Sequence, residues 1–259
     1  EQLRREGQLG LLESLVMGAE EIRGGVSALV HGLFTPRQVI SASEIESAQN
    51  VSQPILKFQN GDSARQPSVD PVSGYSPSIS LPEPPLRLCL LSNTYTPNHF
   101  GGIARLTNLM ARGLFERGHT IHVITRGDRD QVSFYDGAYV HKIPCRLEHY
   151  SQYQRFNDLY HFLNYSHAVY DLVRRLVLNH GVQMVDSPLW QVEGLVTLVS
   201  GIVPVVVRLV TGLRQVTAIH NKHVEELSLI SDLEKLLLER AAHLLSNTRA
   251  TFEEIRRVY

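Results

Sequence analysis

Apolar residues from position 86 onward follow two alternating spacings, which predict strands and helices in turn. The short apolar runs have the composition of buried strands and lie at residues 86–92, 120–125, 182–185, 203–210 and 243–246. Between the first two runs, and again over residues 156–178, apolar residues recur at helical spacing. This alternation is typical of an α/β fold with a doubly wound parallel sheet. Residues 132–134 and 139–143 also flank Asp136-Gly137, which predicts a β-hairpin.

The first 85 residues have a different pattern. Residues 1–40 alternate charged and aliphatic positions with helical spacing up to the Gly24-Gly25 pair. This helical segment is either a docking or oligomerisation helix or the end of a preceding domain. Residues 41–85 hold ten serines and seven of the twelve prolines, which predicts a flexible linker because so few apolar residues cannot offset the entropy of ordering.

Charge and cysteine content narrow the class of protein. The formal net charge is −1, which gives no sign of a nucleic-acid-binding protein. Two cysteines cannot form a disulfide framework, so we expect a reducing, cytoplasmic environment. The most apolar stretch, residues 192–210, contains Glu193, Pro204 and Arg208, so no membrane span is predicted.

The first strand–helix junction is the best candidate for ligand binding, because doubly wound sheets bind ligands at the carboxyl ends of their strands. Here Gly101 and Gly102 precede the helix that starts near Ile103. Glycines and free helix amides favour an anion such as a diphosphate; the alternative is that the same pair only forms a tight turn. The junction lacks the third glycine of a dinucleotide-binding motif, and the second strand ends in Arg126-Gly127 instead of an acidic residue. A nicotinamide-dependent oxidoreductase is therefore disfavoured.

Several motifs in order resemble the amino-terminal domain of retaining GT-B glycosyltransferases of family 4. They are the first strand with its proline-containing loop and Gly101-Gly102-Ile103, the Arg117-Gly118-His119 turn, the segment 185–194, the run PVVVRL at 204–209, and the closing strand and helix at 239–259. The resemblance covers residues 86–259.

The resemblance implies transfer of a sugar from a nucleotide-diphosphate sugar to a sugar, glycolipid or small-molecule acceptor, with retention of configuration. It implies a Rossmann-like, acceptor-side domain whose Gly101, Gly102 and Ile103 approach the donor phosphates. The donor-binding carboxyl-terminal domain of the family is absent from this sequence. Because the chain starts without methionine and stops within a predicted helix, we expect a fragment that is inactive alone. No metal or cofactor is implied beyond the nucleotide-sugar co-substrate.

Five residues are candidates for acceptor binding: Asn98, Trp190, Glu193, Arg208 and Thr211. Trp190 and Glu193 follow a strand end, where packing and helix capping, respectively, are the alternatives to acceptor contact. Asp186 closes the same strand and could cap the following turn. Contact of the surface arginines with a membrane is conceivable, but the interspersed acidic residues favour a solvated face.

One position departs from the family. The family usually places a histidine near the reacting sugar, and this chain has Val210 in that position, so no catalytic residue is assigned. Either Thr211 or His220 substitutes for it, or activity is altered or lost. A non-catalytic glycosyltransferase-like scaffold is the alternative function. His220 and His223 have the spacing of a metal pair, but no third ligand is evident, and a solvated helix start is the favoured interpretation.

Overall fold

The computed structural model describes residues 85–95, 101–213 and 224–259. The predicted helical segment 1–40, most of the predicted linker, and the candidates Asn98, His220 and His223 lie outside the described residues.

The described residues form one sheet with helices on both faces, which confirms the predicted α/β fold. Its strands are β1 (Arg87–Leu91), β2 (Thr120–Arg126), β3 (Gln131–Tyr135), β4 (Ala138–Ile143), β5 (Met184–Pro188), β6 (Val205–Leu209) and β7 (His243–Ser246). The strand order is β3-β4-β2-β1-β5-β6-β7. Every neighbouring pair is parallel except the β3–β4 hairpin.

The helices are α1 (Gly102–Phe115), α2 (Asn157–His180), α3 (Leu195–Ser200), α4 (Val224–Arg240) and α5 (Arg249–Val258). Short 3-10 turns lie at Ser151–Tyr153 and Trp190–Val192.

Alternate residues of β1 divide the core into two layers, because successive side chains of a strand point to opposite faces. Leu88 and Leu90 pack in the layer that contains Ala111 of α1. Cys89 and Leu91 pack in the larger layer, to which α2, α3 and α4 contribute. The sheet is therefore doubly wound, and α1 lies on the face opposite the other three helices.

Local signals explain several turns. Asp136 and Gly137 have φ values of 46° and 83°, the left-handed conformation that a tight hairpin turn requires, so the predicted hairpin is confirmed. Thr248 caps α5, because its hydroxyl accepts a hydrogen bond from the amide of Thr251 at 3.0 Å. His119 is buried, and its Nδ1 accepts a hydrogen bond from the amide of Leu86 at 3.1 Å, which joins the turn before β2 to the residue that precedes β1.

Two predicted strands need correction. β5 starts at Met184 and continues to Pro188, beyond Asp186, which was expected to close the strand. The apolar run ends at Val185 because Asp186 is polar, yet Asp186 is buried against Arg208. β7 was expected to be buried and this is wrong: Leu244 and Leu245 are 43% and 41% exposed. β7 pairs with β6 alone at the edge of the sheet, where cover is thinnest.

Candidate functional site

The crevice at the carboxyl end of β1 is where this sheet can hold a ligand. β1 pairs with β2 on one side and β5 on the other, so the connections after β1 and β5 diverge to opposite faces. This is the topological switch point of the sheet. The segments that follow β1, β2, β5 and β6 surround it.

The start of α1 presents free backbone amides at this edge. Gly101 is the N-cap of α1, no side chain caps it, and the first turn carries no acidic residue. Gly101 and Gly102 are exposed. A Cβ built on either glycine would have no heavy atom of the described residues within 4 Å, and neither glycine has positive φ. Nothing in the described fold therefore requires glycine here, and no described residue fills the space next to these two positions.

A buried ion pair fixes α1 to the sheet. Arg208 on β6 is fully buried, and its Nε donates to Oδ1 of Asp186 on β5 at 2.8 Å. Its Nη1 donates to the hydroxyl of Thr107 on α1 at 2.8 Å, and its Nη2 donates to the carbonyl of Leu91 at 3.0 Å. The Thr107 hydroxyl in turn donates to the carbonyl of Ile103 at 2.8 Å. This chain of contacts joins β5, β6 and β1 to the first turn of α1.

Two sequence expectations change with this ion pair. Asp186 pairs with Arg208 and does not cap the following turn. Burial raises the pKa of the Asp186 carboxyl, and the Arg208 guanidinium opposes that rise. Arg208 was a candidate for acceptor contact, but all three of its nitrogens are engaged within the fold. Any influence on an acceptor would pass through the elements that it holds.

Glu193 lies buried next to the segment that follows β1. Its Oε1 accepts a hydrogen bond from the amide of Asn93 at 3.0 Å, so it does not cap a helix. Burial raises the pKa of its carboxyl to about 8, although the Asn93 amide and the charges of Arg208 and Arg126 act in the opposite direction. The carboxyl is therefore largely protonated near neutral pH.

The connection after β5 is conformationally strained. Gln191 and Val192 have φ values of 60° and 49°, and a β-branched residue in this region is uncommon. The side chain of Asn93 donates to Oε1 of Gln191, so the segments after β1 and β5 are joined twice. Strain of this kind persists where the surroundings impose it, often at functional sites. Trp190 begins this turn and is half-buried, beside the crevice.

The segment after β6 carries the remaining candidates. Val210 is half-buried and packs against the larger core layer, whereas Thr211 is exposed. The amide of Leu213 donates to both carboxylate oxygens of Glu234 on α4, each at 3.0 Å. α4 thereby holds the loop that presents Thr211.

The structure also places together residues that the sequence did not single out. Arg126 ends β2, and its guanidinium carbon lies 4.6 Å from the ring centroid of Tyr165 on α2. The charge of Arg126 lowers the pKa of Glu193, and Glu193 in turn raises the pKa of Tyr165. Asn93 and Gln191 complete this group. The only signal in the sequence was the arginine at the end of the second strand, which counted against a nicotinamide site.

Other classes of site find little support among the described residues. They contain no group of three or more histidine, cysteine, aspartate or glutamate side chains arranged to hold a metal ion. Within the same residues, no helix combines the length and apolar character needed to cross a membrane.

Comparison with known protein families assigns most of the described chain. The family profile of the glycosyl transferase 4-like domain matches residues 101–259, which is more than half of the chain. No curated protein matches the chain significantly.

Proposed function

Since the chain belongs to the glycosyl transferase 4-like domain family, and thus to a group of glycosyltransferases, we propose that it takes part in moving a sugar from a nucleotide-diphosphate sugar to an acceptor, with retained configuration. Residues 86–259 would form the acceptor-side half of a GT-B enzyme. The observation that carries this proposal is the open, uncapped start of α1 at the switch point of the sheet.

The start of α1 suits the diphosphate of the donor. The helix dipole and the free amides of the first turn favour negative charge, and the two glycines let phosphate oxygens approach the backbone. The same groups would stabilise the charge that develops on the departing diphosphate, which is how such a site lowers the barrier to transfer. No metal is needed in this arrangement.

The acceptor would lie across the crevice, between the segments after β5 and β6. Trp190 offers an aromatic surface for a sugar ring, Thr211 an exposed hydroxyl, and Glu193 a carboxyl at the base. Asn98, which lies outside the described residues, stays a candidate for acceptor contact. Val210 has no group that could hydrogen-bond a sugar, so in this proposal catalysis depends on positioning and on stabilisation of the leaving group.

The donor site is tested by filling the space in front of α1. We expect Gly102→Val to fold as stably as the wild type, because a side chain there meets no described atom. Binding of uridine or guanosine diphosphate, and of their sugar conjugates, should weaken about tenfold or more, because the methyl groups occupy the phosphate position. Trp190 is the single tryptophan, so its fluorescence reports binding beside the crevice.

Gly113→Ala, in the last turn of the same helix and far from its start, is the matched control and should leave nucleotide binding unchanged. Sugar transfer is then assayed for the chain joined to a donor-binding domain, with a panel of nucleotide-diphosphate sugars, and the product anomer is determined by NMR. Equal nucleotide binding by Gly102→Val and wild type would reject the donor site, and an inverted product would reject the retaining mechanism.

A further inference from the structure

Four buried polar atoms meet below the crevice without a partner. They are Nε and Nη2 of Arg126, the hydroxyl of Tyr165, and Oε2 of Glu193, none of which has a hydrogen-bond partner among the described residues. Tyr165 and Glu193 are each only 1% exposed. A buried polar group without a partner typically costs about 1–3 kcal/mol, so such a concentration is unusual in a folded protein.

The three side chains come from separate elements and converge on one place. Arg126 ends β2, Tyr165 lies on α2, and Glu193 follows the 3-10 turn after β5. The amide of Arg126 donates to the carbonyl of Asn93 at 3.2 Å, and the amide of Asn93 donates to Glu193. The backbone of β2 is thus linked to the carboxyl of Glu193 through one residue. No direct ion pair between Arg126 and Glu193 is found in the described structure, so neither side chain satisfies the free atoms of the other.

The free atoms define the chemistry of that group. Nε and Nη2 lie on the same edge of the guanidinium and donate in parallel, a geometry that matches the two oxygens of a carboxylate or phosphate. Burial raises the pKa of Tyr165 well above its ordinary value, so its hydroxyl remains a donor. A protonated Glu193 also donates. The cluster therefore combines donors with the positive charge of Arg126. The adjoining ion pair also acts on Glu193, through the charges of Arg208 and Asp186, and Oδ2 of Asp186 likewise has no partner among the described residues.

A buried water is the simplest alternative occupant. A water makes about three hydrogen bonds and could satisfy several of these atoms. It would leave the half-buried guanidinium of Arg126 without a charged partner among the described residues, whereas a charge withdrawn from water is stabilised by an opposite charge. The charge balance thus favours an anion.

We propose that Arg126, Tyr165 and Glu193 form a binding site for an oxyanion, a carboxylate or a phosphate, carried by the acceptor. Assignment of the anion to the acceptor rests on the proposed function; the oxyanion site itself does not. It would make this glycosyltransferase selective for acidic acceptors over neutral sugars, since an acceptor without the anion would leave the Arg126 edge unpaired.

The site is tested in the full chain with inorganic phosphate, acetate and glucose at constant ionic strength. The readout is the side-chain Nε–H resonance of Arg126, assigned by its absence in Arg126→Lys, together with Trp190 fluorescence. We expect the resonance to shift and saturate with phosphate or with acetate, and the stronger of the two identifies the anion. Glucose should not shift it.

The variants separate the fork geometry from charge alone. Arg126→Lys keeps the charge but loses the parallel donors, so anion affinity should fall about tenfold. Tyr165→Phe should weaken binding several-fold. Glu193→Gln keeps a neutral hydrogen-bonding group of the same shape and should bind within about twofold of wild type at pH 7. Arg129→Lys, which alters an exposed arginine after β2, is the control and should bind like wild type.

Three results would overturn the proposal: saturation by glucose, no saturation by either anion, or equal loss of affinity in Arg129→Lys and Arg126→Lys. Circular dichroism checks that each variant is folded. If Arg126→Lys does not fold, Tyr165→Phe still tests the site. Absence of nucleotide-diphosphate binding with intact anion binding would remove the proposed function and leave the site standing.

Discussion

The largest fully buried side chain of the described fold is a cation, Arg208, and its only charged partner there is Asp186. The pair joins three strands to α1 and so fixes the position of the helix start, where the candidate donor site lies. A buried ion pair of this kind adds little to stability. Removing only one of its two residues costs much more, because the charge left alone in the core is strongly unfavourable.

Arg208→Met should destabilise the fold by about 3–5 kcal/mol, because Asp186 would keep a buried charge without its partner. Urea unfolding followed by circular dichroism measures the change. Arg257→Met, on the exposed side of α5, should alter the free energy of unfolding by less than about 0.5 kcal/mol. The double variant Asp186→Leu, Arg208→Met should be more stable than Arg208→Met alone; a double variant with additive losses would refute this account.

Glu193 should make stability depend on pH. Its pKa is about 8 in the fold against an ordinary value of 4.5, mainly through burial. Between pH 4.5 and 8 the folded chain therefore keeps a proton that the unfolded chain releases, so the free energy of unfolding falls as pH rises. The charged groups that act on it are Arg208 on β6, Arg126 on β2 and Asp186 on β5.

Glu193→Gln removes this titration while keeping a neutral group that can accept from Asn93. Between pH 5 and pH 8 the free energy of unfolding of the variant should rise relative to that of the wild type by on the order of a few kcal/mol. Urea titrations in buffers free of phosphate and carboxylate measure this difference. Parallel pH profiles for the two proteins would show that Glu193 is ionised in the fold.

At the scale of elements, α2 depends on α4 for its N-terminal cap. The N-cap residue of α2, Phe156, has no side chain that can cap. Instead, Oε1 of Glu226 on α4 accepts from the amides of Asp158 and Leu159, at 2.7 and 3.0 Å. A carboxylate at this position both satisfies the free amides and complements the helix dipole.

Glu226→Ala should cost about 0.5–2 kcal/mol in free energy of unfolding and speed hydrogen exchange at Asp158 and Leu159. Glu225→Ala is the matched control. It also removes an acidic residue from the first turn of α4, but Glu225 makes only an exposed ion pair with Arg155, worth about 0–1 kcal/mol. The capping role would be disproved by equal effects of the two variants on exchange at Asp158 and Leu159.

At the scale of the whole molecule, the apolar pattern was enough to predict the alternation of strands and helices. It failed where burial depends on a distant partner. Asp186 belongs to β5 only because Arg208 accompanies it into the core, and no local pattern contains that information. It also failed for β7, because a strand's position at the edge of the sheet follows from the strand order and not from its own composition.

Some residues of the candidate site could be predicted from the sequence, and others were found only in the fold. Gly101, Gly102 and Glu193 were visible in the sequence because they lie next to strand ends. The cluster of Arg126, Tyr165 and Glu193 was not visible, since its members come from three elements that only the folded sheet brings together. Asn93 and Gln191, which connect the two sides of the crevice, lie 98 positions apart.

The cap that Glu226 gives to α2 has a consequence for the order of synthesis. Asp158 and Glu226 are 68 positions apart, so a ribosome completes the whole of α2 well before it makes the residue that caps it. During that interval the amides of the first turn can hydrogen-bond only to water, and we expect this turn to fray. The start of α2 becomes settled only once α4 has emerged and folded against it, which makes this junction a late step in the assembly of the domain.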